Sequence, residues 1–368
     1  MTHEAASLHP VLTELLASEL KIYCPVPLVI HPAGAEKLDA CGVRWSVEQE
    51  LCAPGSRATR MNVGLCVAAG SPFVTEEAAM AATCYFYFGL LKDDYLESRS
   101  HDPGYLAIQA AEANRVLLEP RSAPVPDCKW LTALRSLADM FESLMTPEQM
   151  TVWRSEHMAW VIGELWKFSL QRREAPPPPG EYLRMRWYKG GIGTIAALAA
   201  LDTGYALSAE EFRDPLVSAF TRAVGYSCLL INDLISLEKE SPLGQSGLNI
   251  VSVVSRHADG PIAALAEVWK LWERMICLML RLQGQLLNDP RPAVARYATE
   301  FPHWIPATLH WTTTSARYLQ LPGTPGGPGA RIAPQTVTMT DTPTLWDPDD
   351  LTPPPYPEIA WWWNQLAD

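Results

Sequence analysis

The chain has 368 residues and a formal net charge of −12, with 48% hydrophobic and 19% charged residues. This composition is typical of a globular protein with enough apolar material for a large core. The acidic balance argues against nucleic acid or an anionic membrane as the main partner, because both require clustered Lys and Arg. No uninterrupted apolar run reaches the roughly 20 residues that span a bilayer, and the longest, 190–201, ends at Asp202.

The first residues and the cysteines point to one cellular compartment. Residues 1–4 lack the basic segment of a signal peptide. Eight cysteines are scattered along the chain without a Cys-x-x-Cys pair, and a chain of this length needs no disulfides for stability. We therefore expect reduced, mostly buried thiols and a cytoplasmic location, and we leave a homodimer open.

The apolar periodicity along the chain predicts helices almost throughout. Thr146-Pro147-Glu148-Gln149 is a helix-starting sequence, with a capping residue, proline at the first helical position and a capping-box glutamine. Pro302 and Pro306 lie inside the last predicted helix and are expected to break it. Strand-forming segments between helices are missing, which predicts one all-α domain of about ten helices. The predicted helices are 75–96, 130–144, 147–171, 181–201, 214–240, 262–287 and 294–319.

The composition changes near residue 321. Residues 321–368 contain ten prolines and four glycines and carry Trp346 and Trp361-Trp362-Trp363. One interpretation is a disordered or loosely attached tail. The other is that the tryptophans dock onto apolar surface, for instance over the mouth of a cavity. The predicted organisation is therefore an N-terminal extension (1–20), a helical domain (21–320) and a Pro/Trp-rich tail (321–368).

A first acidic motif, Asp93-Asp94-Tyr95-Leu96-Glu97, ends an apolar and aromatic segment. On a helix Asp93 and Glu97 share one face, whereas Asp94 points about 100° away. Two carboxylates on one face repel each other unless a cation lies between them, and oxygen ligands of this kind suit Mg²⁺. Taken alone, the motif fits an exposed acidic helix end equally well.

A second motif is Asn232-Asp233-Leu234-Ile235-Ser236-Leu237-Glu238-Lys239-Glu240. Asn232, Ser236 and Glu240 recur every four residues, which places an amide, a hydroxyl and a carboxylate along one side of a helix. Three such oxygens suit one Mg²⁺ ion, and Lys239 is a candidate contact for a phosphate. A solvated polar face fits less well, because the preceding residues are apolar and polar groups on a buried helix need partners.

Together the two motifs resemble the Asp-Asp-x-x-Glu and Asn-Asp-x-x-Ser-x-x-x-Glu motifs of class I terpene synthases of the microbial, single-domain type. Two further segments are similar to that family. Arg186 lies 46 residues before Asn232, where the family carries an arginine that senses diphosphate, and Arg317-Tyr318 is similar to the family's diphosphate-binding Arg-Tyr pair. The resemblance covers roughly residues 20–320 and implies an all-α bundle around a central apolar cavity.

The resemblance also implies a reaction: a linear prenyl diphosphate is ionised and the carbocation cyclised to a hydrocarbon or alcohol, with release of diphosphate. The protein would be a carbon–oxygen lyase acting on phosphates, with farnesyl diphosphate the favoured substrate on family frequency and geranylgeranyl diphosphate next. Three Mg²⁺ ions are implied. Their ligands would be Asp93, Glu97, Asn232, Ser236 and Glu240, with Arg186, Lys239, Arg317 and Tyr318 on the diphosphate.

Three catalytic positions follow from the same resemblance. Asp94 would pair with Arg186 in the closed form, and Gly190 would present its carbonyl to the substrate as the effector. Lys189, at the position that links sensor and effector, departs from the family's short polar residue, since a cation cannot accept a hydrogen bond from Arg186. Gly190-Gly191 predicts a helix break, because paired glycines in a helix cost about 1 kcal/mol each.

Aromatic rings that stabilise the carbocation are also expected. The candidates are Tyr85, Phe86, Tyr87, Phe88, Trp160, Trp166, Trp187 and Trp311.

Other functions stay open at this point. A chain-elongating prenyl diphosphate synthase shares the fold but carries two aspartate-rich motifs, and the second motif here favours cyclisation. A non-catalytic helical protein of the same fold is a further alternative. A helical metal-dependent phosphohydrolase needs His-Asp pairs, and the single His101-Asp102 step lies in a loop with no second histidine near it.

Overall fold

The structure of the protein is a computed structural model. Its described part comprises residues 20–97, 102–119, 125–199, 207–240, 248–319 and 337–367. The side chains of Glu97, Lys239 and Glu240, three of the predicted site residues, lie outside it. Most of the described chain is α-helical. In chain order the elements are β1 (Leu20–Tyr23), α1 (Ala35–Glu48), α2 (Val63–Gly70), α3 (Glu76–Glu97), α4 (Pro103–Leu118), α5 (Lys129–Glu142), α6 (Pro147–Gln171), α7 (Pro179–Lys189), α8 (Ile192–Leu198), α9 (Ala209–Arg213), α10 (Pro215–Glu240), α11 (Ile250–Val254), α12 (Pro261–Leu286), α13 (Pro292–Glu300), α14 (Trp304–Thr314), α15 (Ala316–Leu319), β2 (Val337–Thr340) and α16 (Pro357–Ala360).

The capping signal in the sequence fixes the start of α6. Thr146 Oγ1 accepts from the Gln149 N–H at 3.3 Å, and Gln149 Oε1 accepts from the Thr146 N–H at 2.7 Å. This capping box satisfies two donors that the helix itself leaves unpaired. Helix α6 therefore begins at Pro147, as predicted.

The expected helix break at the paired glycines is observed. Helix α7 ends at Lys189 and α8 begins at Ile192, with Gly191 in the left-handed conformation at φ +64°, which a non-glycine residue adopts only at a cost. The break predicted at Pro302 is also present, as a 3₁₀ turn over Phe301–His303. Pro306 does not break its helix, because it lies in the first turn of α14, where a missing N–H costs little.

Close packing of α6 against the end of α7 brings the helix break to the interior. A Cβ atom at Gly163 of α6 would lie 2.3 Å from the backbone nitrogen of Lys189, so only glycine permits this approach. Helix α10 packs against α12 and α14. Trp272 of α12 donates its indole N–H to the Ser227 carbonyl at 2.8 Å. These contacts fix α7 and α10, the two helices that carry Arg186 and the second motif.

The described part of the tail, residues 337–367, is bound to the bundle. Strand β2 pairs in parallel with β1, with Ile22 opposite Met339. Glu273 of α12, fully buried, accepts from the backbone N–H groups of Thr344, Leu345 and Trp346 and from the Thr344 hydroxyl, all at 2.7–2.9 Å. One buried carboxylate thus satisfies four donors of the tail.

The tail tryptophans dock onto the bundle, as the second of the two interpretations predicts, but they do not line the cavity described below. The Arg274 guanidinium lies 4.1 Å from the Trp346 ring centroid and 5.9 Å from that of Trp363. Trp362 is buried against Tyr226 of α10, at 5.0 Å between ring centroids. The boundary predicted near residue 320 falls outside the described residues, as does most of the predicted N-terminal extension.

Replacing Glu273 by Ala is expected to lower the free energy of unfolding by about 3 kcal/mol, because it removes the buried carboxylate that accepts four hydrogen bonds from the tail. The tail should then detach and become a site of rapid proteolysis. Chemical denaturation and limited proteolysis measure both effects. Glu267→Ala removes an exposed carboxylate from the same helix and is the matched control. Equal stability and equal cleavage of the two variants would contradict the assigned role of Glu273.

The expectations for the cysteines and for membrane-spanning helices can be compared with the described structure. All eight cysteines are free thiols, and five of them are buried. Among the described residues, the helices fall short of the length and apolar character that membrane crossing requires.

Candidate active site

A cavity opens between α3, α6, α7, α8, α10 and α14, and its two ends differ in chemistry. Most of its wall is apolar and aromatic, whereas one end is polar and charged. The polar end is formed by Asp93, Arg186, Lys189, Asn232, Ser236, Arg317 and Tyr318. The apolar wall includes Tyr85, Phe86, Trp160, Leu229, Trp304 and Trp311.

Asp93, at the end of α3, is surrounded by cations. Its Oδ2 accepts from Arg317 Nη2 at 3.0 Å, and its Oδ1 lies 3.1 Å from Lys189 Nζ and 3.8 Å from Lys167 Nζ. The three cations come from α15, α7 and α6, so helices distant in sequence converge on one carboxylate. Positive charge therefore gathers at the polar end of the cavity although the whole chain is acidic.

Arg317 is held in place from several sides. It is 3% exposed, and its Nη1 donates to Asp94 Oδ2. Its own carbonyl accepts from Arg57 Nη2 at 2.6 Å. Burial lowers the pKa of the Arg57 guanidinium, and the negative charge of Asp94 offsets only part of this effect. The Arg317 guanidinium is thus preorganised at the cavity before any ligand binds.

The second motif forms the opposite wall through a network of hydrogen bonds. Arg186 donates from Nε to Asp233 Oδ1 and from Nη2 to Asn232 Oδ1, both at 2.8 Å. Asp233 also accepts from the Tyr182 hydroxyl at 2.6 Å. Asn232 Nδ2 donates to the Tyr318 hydroxyl at 2.8 Å, and burial raises the pKa of Tyr318 to about 12. Hydrogen bonds therefore connect Arg186, Asn232 and Tyr318 at the polar end of the cavity.

Seven predicted site residues line this one cavity. Asp93, Arg186, Gly190, Asn232, Ser236, Arg317 and Tyr318 all do so. In this structure Asp94 binds Arg317, whereas Arg186 binds Asp233 and Asn232. The Asp94–Arg186 pair expected in the closed form stays a prediction. The predictions for Glu97, Lys239 and Glu240 concern side chains outside the described part.

The structure also explains why a lysine is compatible with position 189. Lys189 does not have to accept a hydrogen bond from Arg186, because Asp233 and Asn232 already do so. Its ammonium group instead pairs with Asp93 at 3.1 Å. Gly190, next to it, leaves no room for a side chain, since a Cβ there would lie 2.3 Å from Leu229 Cδ2.

Several functional residues escaped the sequence analysis. Tyr182, Asp233, Lys167 and Arg57 take part in the polar networks, and Phe301 and Trp304 line the apolar wall. Tyr182 had a detectable signal, because it stands four residues before Arg186 on one helix face. Of the predicted aromatic residues, those lining this cavity are Tyr85, Phe86, Trp160 and Trp311; the others, Tyr87, Phe88, Trp166 and Trp187, do not.

The oxygen donors at the polar end fit a divalent metal ion. Asp93 offers a carboxylate, Asn232 an amide oxygen and Ser236 a hydroxyl, which are the hard ligands that Mg²⁺ prefers. Within the described ranges no group of three or more His, Cys, Asp or Glu residues forms a metal site. A donor set of mixed oxygen types is consistent with that finding.

Comparison with known proteins agrees with this fold. The structure of the SVS_A2 protein from ancestral sequence reconstruction superposes with a TM-score of 0.77 and 25% identity, over 93% of this chain and 98% of that chain. The (+)-(1(10)E,4E,6S,7R)-germacradien-6-ol synthase of Streptomyces pratensis is 26% identical over 363 residues, covering 95% of this chain and 97% of the relative. Bonnadiene synthase of Allokutzneria albata is 27% identical over 360 residues, with 93% and 96% covered.

The fold is that of the class I terpene synthases. Residues 84–276, more than half of the chain, match the family described as terpene synthase family 2, C-terminal metal binding. The chain belongs to this family, which confirms the resemblance seen in the sequence. It is a lyase, a terpene cyclase acting on prenyl diphosphates, and depends on a divalent metal.

Proposed function

We propose that this protein ionises farnesyl diphosphate in the presence of Mg²⁺ and cyclises the resulting carbocation. The C–O bond of the substrate breaks, and diphosphate leaves, which makes the enzyme a carbon–oxygen lyase acting on phosphates. The observation that carries the proposal is a cation-rich, oxygen-ligand end on an otherwise apolar, aromatic cavity. Farnesyl diphosphate is proposed on its frequency in the family, with geranylgeranyl diphosphate as the alternative.

The charged end of the cavity matches a diphosphate group. Arg186, Lys189 and Arg317 line the cavity, and Lys167 lies behind Asp93. Arginine donates several parallel hydrogen bonds to phosphate oxygens, and lysine contributes a point charge. Because these groups are already held by Asp93, Asn232 and Asp233, they need little rearrangement when negative charge grows on the leaving diphosphate.

Three Mg²⁺ ions are proposed on the family's pattern, held by Asp93 and Glu97 on α3 and by Asn232, Ser236 and Glu240 on α10. Bound there, they would neutralise the diphosphate and favour its departure. The chain's own residues orient the headgroup: Arg186, Lys239, Arg317 and the Tyr318 hydroxyl are the proposed contacts. Asp94 keeps Arg317 in place, and Gly190, which lines the cavity, is proposed to present its carbonyl to the substrate.

The apolar wall of the cavity stabilises the carbocation and shields it from water. Tyr85, Phe86, Trp160, Trp304 and Trp311 turn aromatic groups toward a space that polar side chains enter mainly at one end. Aromatic faces attract cations through their quadrupole. Phe86 and Trp304 stack at 5.0 Å between ring centroids, which makes this part of the wall rigid. The wall therefore excludes water and stabilises positive charge without a nucleophile.

The assay for this function measures two products. Purified protein is incubated with geranyl, farnesyl and geranylgeranyl diphosphates, with and without Mg²⁺. Diphosphate release and a cyclic terpene from farnesyl diphosphate, both dependent on Mg²⁺, are expected. Diphosphate release without any terpene would indicate a hydrolase. A longer prenyl diphosphate formed with isopentenyl diphosphate would indicate chain elongation, and either result would contradict the proposal.

A cytoplasmic location is proposed from the eight free thiols.

Replacing Lys189 by Gln should change the metal requirement in a defined direction. The Lys189 ammonium competes with a metal ion for Asp93 Oδ1, from which it lies 3.1 Å away. Its removal is expected to lower the Mg²⁺ concentration for half-maximal activity several-fold, while the KM for farnesyl diphosphate rises because a phosphate contact is lost. Steady-state kinetics at varied Mg²⁺ measure both. An Mg²⁺ requirement equal to or above that of the wild type would contradict this role of Lys189.

A further inference from the structure

A hydrogen-bonded pair of side chains lies at the apolar wall, away from the diphosphate end. The Tyr85 hydroxyl and His157 Nδ1 are 2.9 Å apart. Tyr85 lines the cavity, and His157 lies behind it, 1% exposed. None of the steps proposed above uses His157.

The surroundings of His157 keep its imidazole neutral. The rings of Trp153, Trp160 and Phe88 enclose it at 5.4–6.2 Å between centroids. Burial, with a smaller contribution from the positive charge of Lys92, lowers the pKa of His157 to about 3. A neutral imidazole has one unprotonated nitrogen. In the tautomer that leaves Nδ1 unprotonated, Tyr85 donates its proton to His157.

Other hydroxyl groups in the apolar wall lack such a base. Thr194 Oγ1 donates to the Gly191 carbonyl at 2.6 Å, and Thr308 Oγ1 donates to the Trp304 carbonyl at 2.8 Å. A backbone carbonyl accepts a hydrogen bond but takes up no proton at neutral pH. Among the hydroxyl groups that the described residues place on the apolar wall, Tyr85 is therefore the one bonded to an imidazole.

Cyclisation to a hydrocarbon ends when the last carbocation loses a proton. We propose that Tyr85 accepts this proton and that His157 receives the proton of Tyr85 in turn, an inference that rests on the proposed function. The C–H bond next to the cationic carbon breaks, and its electron pair forms the new double bond. The proton adds to Tyr85 Oη as the original phenolic proton moves to His157 Nδ1. The products are an alkene, a neutral tyrosine and an imidazolium.

The position of His157 also gives the proton a way out. His157 lines a second cavity, between α3, α4, α5 and α6, whose wall includes Gln109 and Gln171. Lys92 also lines the second cavity, and because burial and the charge of Lys92 lower the pKa of His157, the imidazolium readily loses its proton. The imidazolium can therefore return to the neutral state without passing its proton back to the product. Tyr85 is thus assigned as a catalytic residue and His157 as its proton acceptor.

The test uses the full chain with farnesyl diphosphate and Mg²⁺, and it measures diphosphate release and the terpene profile separately. The terpene profile of Tyr85→Phe is expressed per diphosphate released, so that a change in the rate of ionisation does not enter the comparison. The share of the wild type's major alkene should fall about tenfold or more, because general acid–base catalysis is lost, and other terpenes should accumulate. His157→Asn keeps a hydrogen-bond acceptor near Nδ1 but no base, and the same redistribution is expected. This variant separates proton transfer from simple positioning of Tyr85.

Tyr87→Phe is the matched control. It removes a buried hydroxyl from the same helix, but that hydroxyl bonds Asp39 and does not line the cavity. Its terpene profile should equal that of the wild type. A wild-type profile in Tyr85→Phe or in His157→Asn would overturn the inference, and if one variant fails to fold, the other decides. An alcohol as the sole wild-type product would also overturn it. Absence of diphosphate release by the wild type contradicts the proposed function instead.

Discussion

Asp93→Asn is expected to lower kcat/KM for farnesyl diphosphate by about 10²- to 10³-fold. The substitution keeps the shape of the side chain but removes the charge on which Arg317 and Lys189 converge, at 3.0 and 3.1 Å. It also removes the one carboxylate of the first motif that the described structure places on the cavity wall. Steady-state diphosphate release in the presence of Mg²⁺ measures the loss.

The control for this variant is Asp139→Asn, which neutralises an exposed aspartate on α5. It should retain wild-type kinetics. Circular dichroism and thermal denaturation show whether Asp93→Asn is folded. Full activity in a folded Asp93→Asn protein would contradict the assignment of Asp93 to the metal and diphosphate end.

Asn232→Ala is expected to be as damaging, with a loss of about 10²- to 10³-fold in kcat/KM. Its side chain accepts from Arg186 and donates to Tyr318, both at 2.8 Å, besides offering an oxygen at the proposed metal site. Asn232→Asp keeps an oxygen at this place and should recover part of the activity, with an altered Mg²⁺ dependence. The two variants are compared by titrating Mg²⁺ at saturating farnesyl diphosphate.

Asn288→Ala serves as the control, because Asn288 is exposed just after α12 and its side chain donates to the local Gly284 carbonyl. It should behave as the wild type. Equal activity of Asn232→Ala and Asn288→Ala would show that the second motif has no part in turnover.

The sequence was sufficient to predict the local features of the fold. The capping box at Thr146 and Gln149 fixes the start of α6, and Gly190-Gly191 predicts the break after α7, because both signals act through neighbouring backbone groups. The spacing of Asn232 and Ser236 places both on the cavity wall for the same reason. Pro306 was misjudged, because the effect of a proline depends on where its helix begins.

The partners of the site residues were not predictable, because they depend on packing between distant helices. Nothing near Asp93 in the sequence indicates that Lys167, Lys189 and Arg317 surround it. The pairing of Asp94 with Arg317 has the same origin. The burial of Glu273 was not predictable either. An acidic residue in an amphipathic helix suggests a surface position, yet Glu273 is buried under the tail.

The most direct test of the proposed function locates the diphosphate group. A crystal structure of the protein with Mg²⁺ and a farnesyl diphosphate analogue that cannot ionise should show the diphosphate between Asp93 and Asn232. Arg186 and Arg317 should contact its oxygens, and the prenyl chain should lie against Phe86 and Trp304. A diphosphate bound elsewhere, or a prenyl chain outside this cavity, would contradict the proposal.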